Sequence, residues 1–231
     1  MQLREEHGTF WHRVRSELVQ NEIEKSGSAT VLDIGAGAGH LGRWLQEKNP
    51  SVKYLYDEQL ESLKAQLIVR FGEDSLRGPQ SSISDVDMVC MLDVIEHIED
   101  DLTFMRLLHT RMREDSLVVA TVPAMNILFS SWDVALGHFR RYDKKSLRKV
   151  LQDSGFEILE CSYVFAEMVP LALVRKYFRR KKLESVAEFP NLPRSIDSIL
   201  WLICRSSSRF RRFWPVGTSL VIVGKRVGQR S

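Results

Sequence analysis

The sequence predicts a three-layer α/β domain of the doubly wound kind, and three observations carry that expectation. A glycine-rich turn, Val31-Leu32-Asp33-Ile34-Gly35-Ala36-Gly37-Ala38-Gly39-His40, links a short apolar run to helix-compatible residues 41–48. Successive strand-then-helix units follow it, which implies parallel pairing through right-handed crossovers. Four carboxylates, Asp33, Asp57, Asp74 and Asp93, fall at the ends of the strands so read. That is where an open α/β sheet places its ligand.

The turn comes first. Gly35, Gly37 and Gly39 alternate with small residues, so the loop can take backbone angles that a Cβ forbids and a ligand can approach its main chain. The helix that follows offers unpaired N–H groups to a negative ligand end. Gly37, Gly39 and Gly42 also satisfy G-x-G-x-x-G, with Asp57 in the place of a ribose ligand, so a dinucleotide reading is open. Asp33 argues against it, because a carboxylate there repels a pyrophosphate and suits the ammonium of an amino-acid moiety. S-adenosylmethionine carries such an ammonium, a carboxylate for the helix N-terminus and a ribose for Asp57.

Composition narrows the class. The chain has 231 residues, 44% of them hydrophobic, enough for one α/β domain with a subdomain. No uninterrupted apolar run reaches the ~18 residues of a membrane span, and the first seven residues are polar, without a signal peptide's apolar core. Cys90, Cys161 and Cys204 are scattered, which excludes a disulfide framework and a C-x-x-C pair. A cytoplasmic protein is expected. The net charge of +3 is too small to announce a nucleic-acid binder.

In chain order, residues 9–25 read as an amphipathic helix with Phe10, Val14, Leu18 and Ile23 on one side; it either packs on the first sheet unit or forms a lid over the cofactor. Ser26-Gly27-Ser28 ends it. After the glycine turn and its helix, Asn49-Pro50 marks a turn and residues 52–56 a second strand. Asp57 then either accepts from ribose hydroxyls or caps the helix expected over 58–66. Residues 67–71 suggest a short third strand, with Asp74 beyond it as an adenine contact or a solvated carboxylate. Residues 86–92 are a buried strand running into Asp93-Val94-Ile95-Glu96-His97. Those three ligand-type side chains invite a metal, but a strand end uses such groups equally for capping and cofactor contact, and no metal is assigned. Residues 102–112 form a helix and 116–122 a fifth strand, stopped by Pro123.

With Asp93 in place the chain resembles the class I S-adenosylmethionine-dependent methyltransferases. The matching pieces are Val31 to Gly39, Tyr56-Asp57, and Asp87-Met88-Val89 through His97, in the family's order over about residues 28–125. The resemblance implies a Rossmann-like sheet of seven strands whose last runs antiparallel, with residues 155–163 and 218–225 as strands six and seven. It implies methionine-moiety contacts near Asp33, Gly35 and Gly37, ribose binding by Asp57, and cofactor contacts near Asp93, with Gly39 also in the cofactor-binding turn. The whole chain then reads as one domain: an N-terminal helix over 1–27, a cofactor-binding core over 28–164, a helical insertion over 165–217 and a last strand over 218–226. A second resemblance, to a bacterial methyltransferase subgroup, rests on Ser131-Trp132-Asp133, Gly137-His138-Phe139-Arg140-Arg141-Tyr142, Leu147 and Gly155-Phe156. In that subgroup the segment after strand five faces the acceptor, and members are associated with glycan or lipid-linked sugar pathways. The block from Asp93 to His97 also resembles quinone-precursor O-methyltransferases, some of which bind a divalent ion there.

Methyl transfer is an in-line displacement, so the protein mainly aligns the groups, excludes water and, for a hydroxyl acceptor, takes a proton. His138 is the candidate base, with Asp133 to orient it or substitute for it. The competing reading is a histidine that only holds its loop. Trp132, Arg140, Arg141 and Tyr142 are candidate acceptor contacts, the arginines for an anionic group; surface ion pairs and a helix start capped by Asp143 are the alternatives. The charge is uneven: residues 165–217 hold eleven Lys/Arg against four Asp/Glu, and the rest 22 against 26. Basic residues interleaved with Leu171, Tyr177, Ile199, Phe210 and Trp214 suit an anionic membrane surface or a phosphate-bearing acceptor. A helical cap with a solvated basic face is the plain alternative. No recognised RNA-binding module accompanies the charge.

Overall fold

The computed structural model describes residues 8–178 and 192–228. The basic run Arg179 to Lys182, within the insertion expected over 165–217, lies outside the described residues. Helix α1 (Phe10–Ser26) leads into β1 (Thr30–Ile34), followed by α2 (His40–Lys48), β2 (Lys53–Asp57), α3 (Glu61–Phe71), β3 (Met88–Leu92), α4 (Asp101–Arg111) and β4 (Leu117–Pro123). Then come α5 (Ser131–Leu136), α6 (Lys144–Asp153), β5 (Phe156–Val164), α7 (Val169–Phe178), α8 (Arg194–Arg209) and β6 (Ser219–Arg226).

The strands form one sheet in the order β2-β1-β3-β4-β6-β5. β1 to β4 pair in parallel, and β6 runs antiparallel to both β4 and β5. The chain moves outward from β1 to β2 and then returns to the other side of β1 with β3. The ligand crevice of such a sheet opens at that reversal, at the strands' carboxyl ends. Burial on both faces explains the near-continuous apolar runs Met88 to Met91 and Leu117 to Ala124. One face carries Val31, Tyr54, Cys90, Val119 and Val221 under α1 and α2. The other carries Leu32, Leu55, Val89, Val118 and Ile222 under Met105 and Leu108 of α4 and Leu147 and Leu151 of α6. The helices punctuate as their ends direct: α1 stops at Gly27 with φ 70°, and Asp143 accepts the Ser146 N–H at 2.7 Å to open α6. Cys90 and Cys204 are buried and all three thiols are free.

The expected third strand is a correction. Residues 67–71 are the last turn and a half of α3, and the described residues hold six strands rather than seven. Leu67 and Phe71 sit one helical turn apart and pack onto Gly39, where a Cβ would meet both at 2.7 Å. The β-branched Val69 is turned to solvent. Packing against the glycine turn thus overrides the local β propensity of Leu-Ile-Val. What remains of an edge strand is a single parallel bridge, Tyr56 to Leu76. Helix α3 begins later than expected, with Leu60 rather than Asp57 at its N-cap, which removes the capping alternative for Asp57.

Candidate functional site

The glycine turn is built as its composition requires. Gly35, Gly37 and Gly39 have φ of 70°, 56° and 74°, the left-handed region where a side chain is strained. The Gly35 and Ala36 amides donate to the main-chain oxygen of Asp57 at 2.8 and 3.1 Å, and the Gly37 amide to Glu58 Oε2 at 2.7 Å. The turn is thereby tied to the end of β2. A Cβ at Gly37 would meet nothing within 4 Å, so the rim of the turn is open to a ligand. The Asp57 carboxylate sits beside it, half-buried, with Gln59 Nε2 donating to it at 2.6 Å; burial raises its pKa. Asp74 lies exposed in the short turn 73–75, near the Tyr56–Leu76 bridge.

Asp33 has a partner from the neighbouring strand. It is buried beneath the turn and accepts from Tyr54 Oη at 2.9 Å, and burial pushes its carboxyl up to about 7. Asp93, at the end of β3, has φ 60° and is ion-paired with Arg15 of α1. Arg15 is itself buried and lies over the Trp11 ring at 4.7 Å. Helix α1 therefore packs on the core through Phe10, Val14, Leu18 and Ile23, and it also reaches the strand end with one guanidinium. Nothing in the residue pattern singled out Arg15; the i,i+4 pair Trp11–Arg15 is the one signal in the sequence.

Two segments far apart in sequence meet beside Asp93. The turn Ile95–His97 and the loop 131–142 are joined by the Phe139 N–H donating to the Glu96 oxygen at 2.9 Å. Asp133 is fully buried and accepts from His138 Nδ1 at 3.0 Å, Arg141 Nε at 2.7 Å and the Ser130 N–H at 3.0 Å. Burial alone would raise its pKa, but the His138 hydrogen bond and the Arg141 charge outweigh it and the net shift is downward. An ionised Asp133 holds the His138 proton on Nδ1 and leaves the Nε2 lone pair available. The His97 ring stands edge-on to His138 with centroids 4.7 Å apart, and burial followed by His138 lowers its pKa. Glu96 is buried with no hydrogen-bond partner on either carboxylate oxygen. Burial and the charge of Asp93 push its carboxyl well above the usual range. Ligand atoms of Glu96, His97 and His138 lie within 4.8 Å of one another. The metal-type set noticed in the sequence, Asp93-Glu96-His97, is thus rearranged: Asp93 goes to Arg15 and His138 takes its place.

The remaining candidates divide. Arg141 belongs to the cluster, through Asp133 and the Ala124 main-chain oxygen at 3.1 Å. Arg140 turns away to Asp101 at 2.7 Å, and Tyr142 is buried with its hydroxyl donating to the same carboxylate at 2.6 Å. These two hold the loop to the start of α4. The Trp132 ring lies under the Arg175 guanidinium of α7 at 3.7 Å. A cleft of about 680 Å³ between α1, α2 and α8, and one of about 510 Å³ between α2 and α3, contain none of Asp57, Asp93, Glu96 and His138.

A glycine turn at the switch point of a doubly wound sheet, with carboxylates at the neighbouring strand ends, defines a nucleotide-cofactor protein of the Rossmann-like class. The profile of a methyltransferase domain matches residues 4–161. The chain belongs to that family, the class I S-adenosylmethionine-dependent methyltransferases. No curated protein matches the sequence. Solved structures resemble it at low identity. An S-adenosylmethionine-dependent methyltransferase of Clostridium acetobutylicum is 10% identical with TM-score 0.55, over 94% of this chain and 92% of the other. The phosphoethanolamine N-methyltransferase 2 of Haemonchus contortus, with S-adenosyl-L-methionine, is 13% identical with TM-score 0.58, over 92% of this chain and 53% of that one. The cyclase SpnF, 12% identical with TM-score 0.60 over 97% and 89%, shares the fold. At these identities the likeness speaks for fold, and the chemistry has to be argued from the site.

Proposed function

We propose that this methyltransferase acts on an oxygen of a small, glycosidic or lipid-linked acceptor, with S-adenosylmethionine as methyl donor and S-adenosylhomocysteine as product. The observation that carries the reading is the buried Asp133 on His138 Nδ1, beside Asp93 at the sheet's ligand edge. The cofactor supplies a methyl group already activated on a sulfonium. His138 Nε2 takes the acceptor's hydroxyl proton as the oxygen engages the methyl carbon. Asp133 stabilises the imidazolium that forms, and Arg141 keeps Asp133 ionised and in place. Gly35, Gly37 and Gly39 present main chain to the cofactor, Asp57 its ribose contact, and Asp74 and Asp93 flank it. Asp33 acts from beneath, through Tyr54. The open rim at Gly37 supports room for such a ligand.

The test has two arms. Calorimetric titration should show binding of S-adenosylmethionine and its demethylated product, with NAD as control. Labelled methyl should then pass from the cofactor to a glycan or lipid extract, and His138→Ala should abolish transfer while leaving cofactor affinity unchanged. Transfer undiminished in His138→Ala removes the base assignment. Cofactor binding without transfer to any extract leaves a non-catalytic cofactor-binding protein. A second reading, a divalent ion on Glu96, His97 and His138 as in the quinone-precursor enzymes, is favoured by the unpartnered Glu96 carboxylate and the 4.8 Å cluster. Loss of transfer on chelation and its recovery with magnesium would select it.

A further inference from the structure

Helix α8 is apolar on two faces, one against the core and one turned to solvent. Amphipathic helices of water-soluble domains turn aliphatic side chains to the core and charges to solvent. Here the protein-facing side carries Asp197, which pairs with Arg13 and accepts the Phe10 N–H at 2.8 Å, and Arg205, which pairs with Glu17 at 3.1 Å. Cys204 and Ser208 are buried on that side, and Leu200 and Trp201 pack there against the core. Ile196, Ile199, Leu202 and Ile203 fall on the opposite face and are 46 to 56% exposed. The apolar face continues past the helix end through Phe210 and through Phe213, which is 83% exposed. Helix α7 adds exposed Leu171 and Val174. Both helices pack on the same turn, 166–168, and α7 lies against the segment 126–128 that precedes the His138 loop.

An exposed apolar surface of this extent marks a binding face, and its charge says what it binds. Within residues 192–217 Arg205 and Arg211 are ion-paired on the protein side, and no Asp or Glu is exposed. Arg194 and Arg209 are exposed at the two ends of the aliphatic face, and the exposed Arg212 is ion-paired with Glu160 at 3.1 Å. A symmetric pairing of two copies through this face would set those arginines against their own counterparts, which opposes self-association.

We propose that the outward face of α8, continued by Phe210 and Phe213, is a docking surface for an anionic lipid bilayer. The aliphatic and aromatic side chains enter the headgroup–acyl boundary while the arginines meet lipid phosphates. No helix among the described residues is long and apolar enough to cross a membrane, so the chain lies on the bilayer. Docking would bring α7, and the loop it covers, to the lipid surface.

Co-flotation of the full chain with vesicles of phosphatidylcholine alone, and of phosphatidylcholine mixed with phosphatidylglycerol, tests the proposal. The chain should float with the mixed vesicles, not with the neutral ones, and raised salt should weaken binding. The double substitution Ile199→Ser with Leu202→Ser should weaken it at least about tenfold, since two aliphatic side chains contribute more than one decade of affinity. Arg194→Ser with Arg209→Ser should do likewise. These side chains are exposed, so circular dichroism and cofactor affinity should stay at parent values, which separates this test from that of the catalytic reading. No flotation with mixed vesicles, or flotation that Ile199→Ser with Leu202→Ser leaves unchanged, overturns the proposal. So does concentration-dependent dimerisation abolished by the same pair without vesicle binding, which would assign the face to a second copy.

Discussion

Replacing Asp33 by Asn should make the protein more stable relative to the parent as pH rises. Burial holds the Asp33 carboxyl at about 7 in the folded chain, against about 3.9 in an unfolded one. Below pH 4 both states keep the proton and Asp33 contributes no pH dependence. Between about pH 4 and 7 the unfolded chain releases a proton that the folded chain retains, so stability falls with rising pH. Above 7 the fold must ionise a buried carboxylate and bears the whole cost, about 3 pH units at 1.36 kcal/mol each, or about 4 kcal/mol. Asn preserves an acceptor for Tyr54 Oη and cannot ionise. Its amide needs a partner of its own, which costs about 1 to 3 kcal/mol at every pH. The difference in unfolding free energy, Asp33→Asn minus parent, should therefore climb by about 4 kcal/mol between pH 4 and 8, whatever its starting sign. Urea titrations at matched pH values measure it directly, and taking the difference cancels the other titrating groups. A difference that stays flat across that interval would refute the buried, proton-retaining carboxyl and restore an ionised Asp33 facing the ligand.

Asp57→Ala keeps the main-chain oxygen that accepts from Gly35 and Ala36, so it should fold normally while cofactor affinity drops about 10- to 100-fold, from the loss of charge-assisted bonds to the ribose; calorimetry checks both. Asp133→Asn should lower turnover by about 10²- to 10⁴-fold. It should also destabilise the chain by about 3 kcal/mol, because Arg141 loses its carboxylate partner inside the fold. A stability loss without a change in the pH–rate profile would make Asp133 a loop brace only. Arg211 is buried between Glu160, at 2.5 Å, and Glu22. Arg211→Ala should cost about 1 to 3 kcal/mol in thermal or urea unfolding, since the buried Glu160 carboxylate loses one of its two guanidinium partners and keeps Arg212 at 3.1 Å. Unchanged unfolding would show that Arg212 alone satisfies Glu160.

How much was legible depends on how local the cause is. The glycine turn, the capped start of α6 at Asp143 and the buried strands Met88–Leu92 and Leu117–Pro123 follow from backbone sterics, capping and runs of apolar residues. They stand where the sequence places them. Residues 67–71 were misread because Leu67 and Phe71 take their conformation from Gly39, about thirty positions earlier. The place of Asp33 in the sequence suits an ammonium, but its partner Tyr54 comes from the neighbouring strand and is not legible there.

The sequence alone therefore determined the class of protein, since a glycine turn and spaced strand-end carboxylates depend only on short-range geometry. It also determined which residue types were available for proton transfer. The tertiary structure decided the partnerships: Arg15 with Asp93, His138 with Asp133 and beside His97 and Glu96, Arg205 with Glu17 beneath an outward apolar face. Each joins separate elements or loops brought together only by the fold. Burial then sets their ionisation, because the cost of a charge depends on what surrounds it and not on its neighbours in sequence.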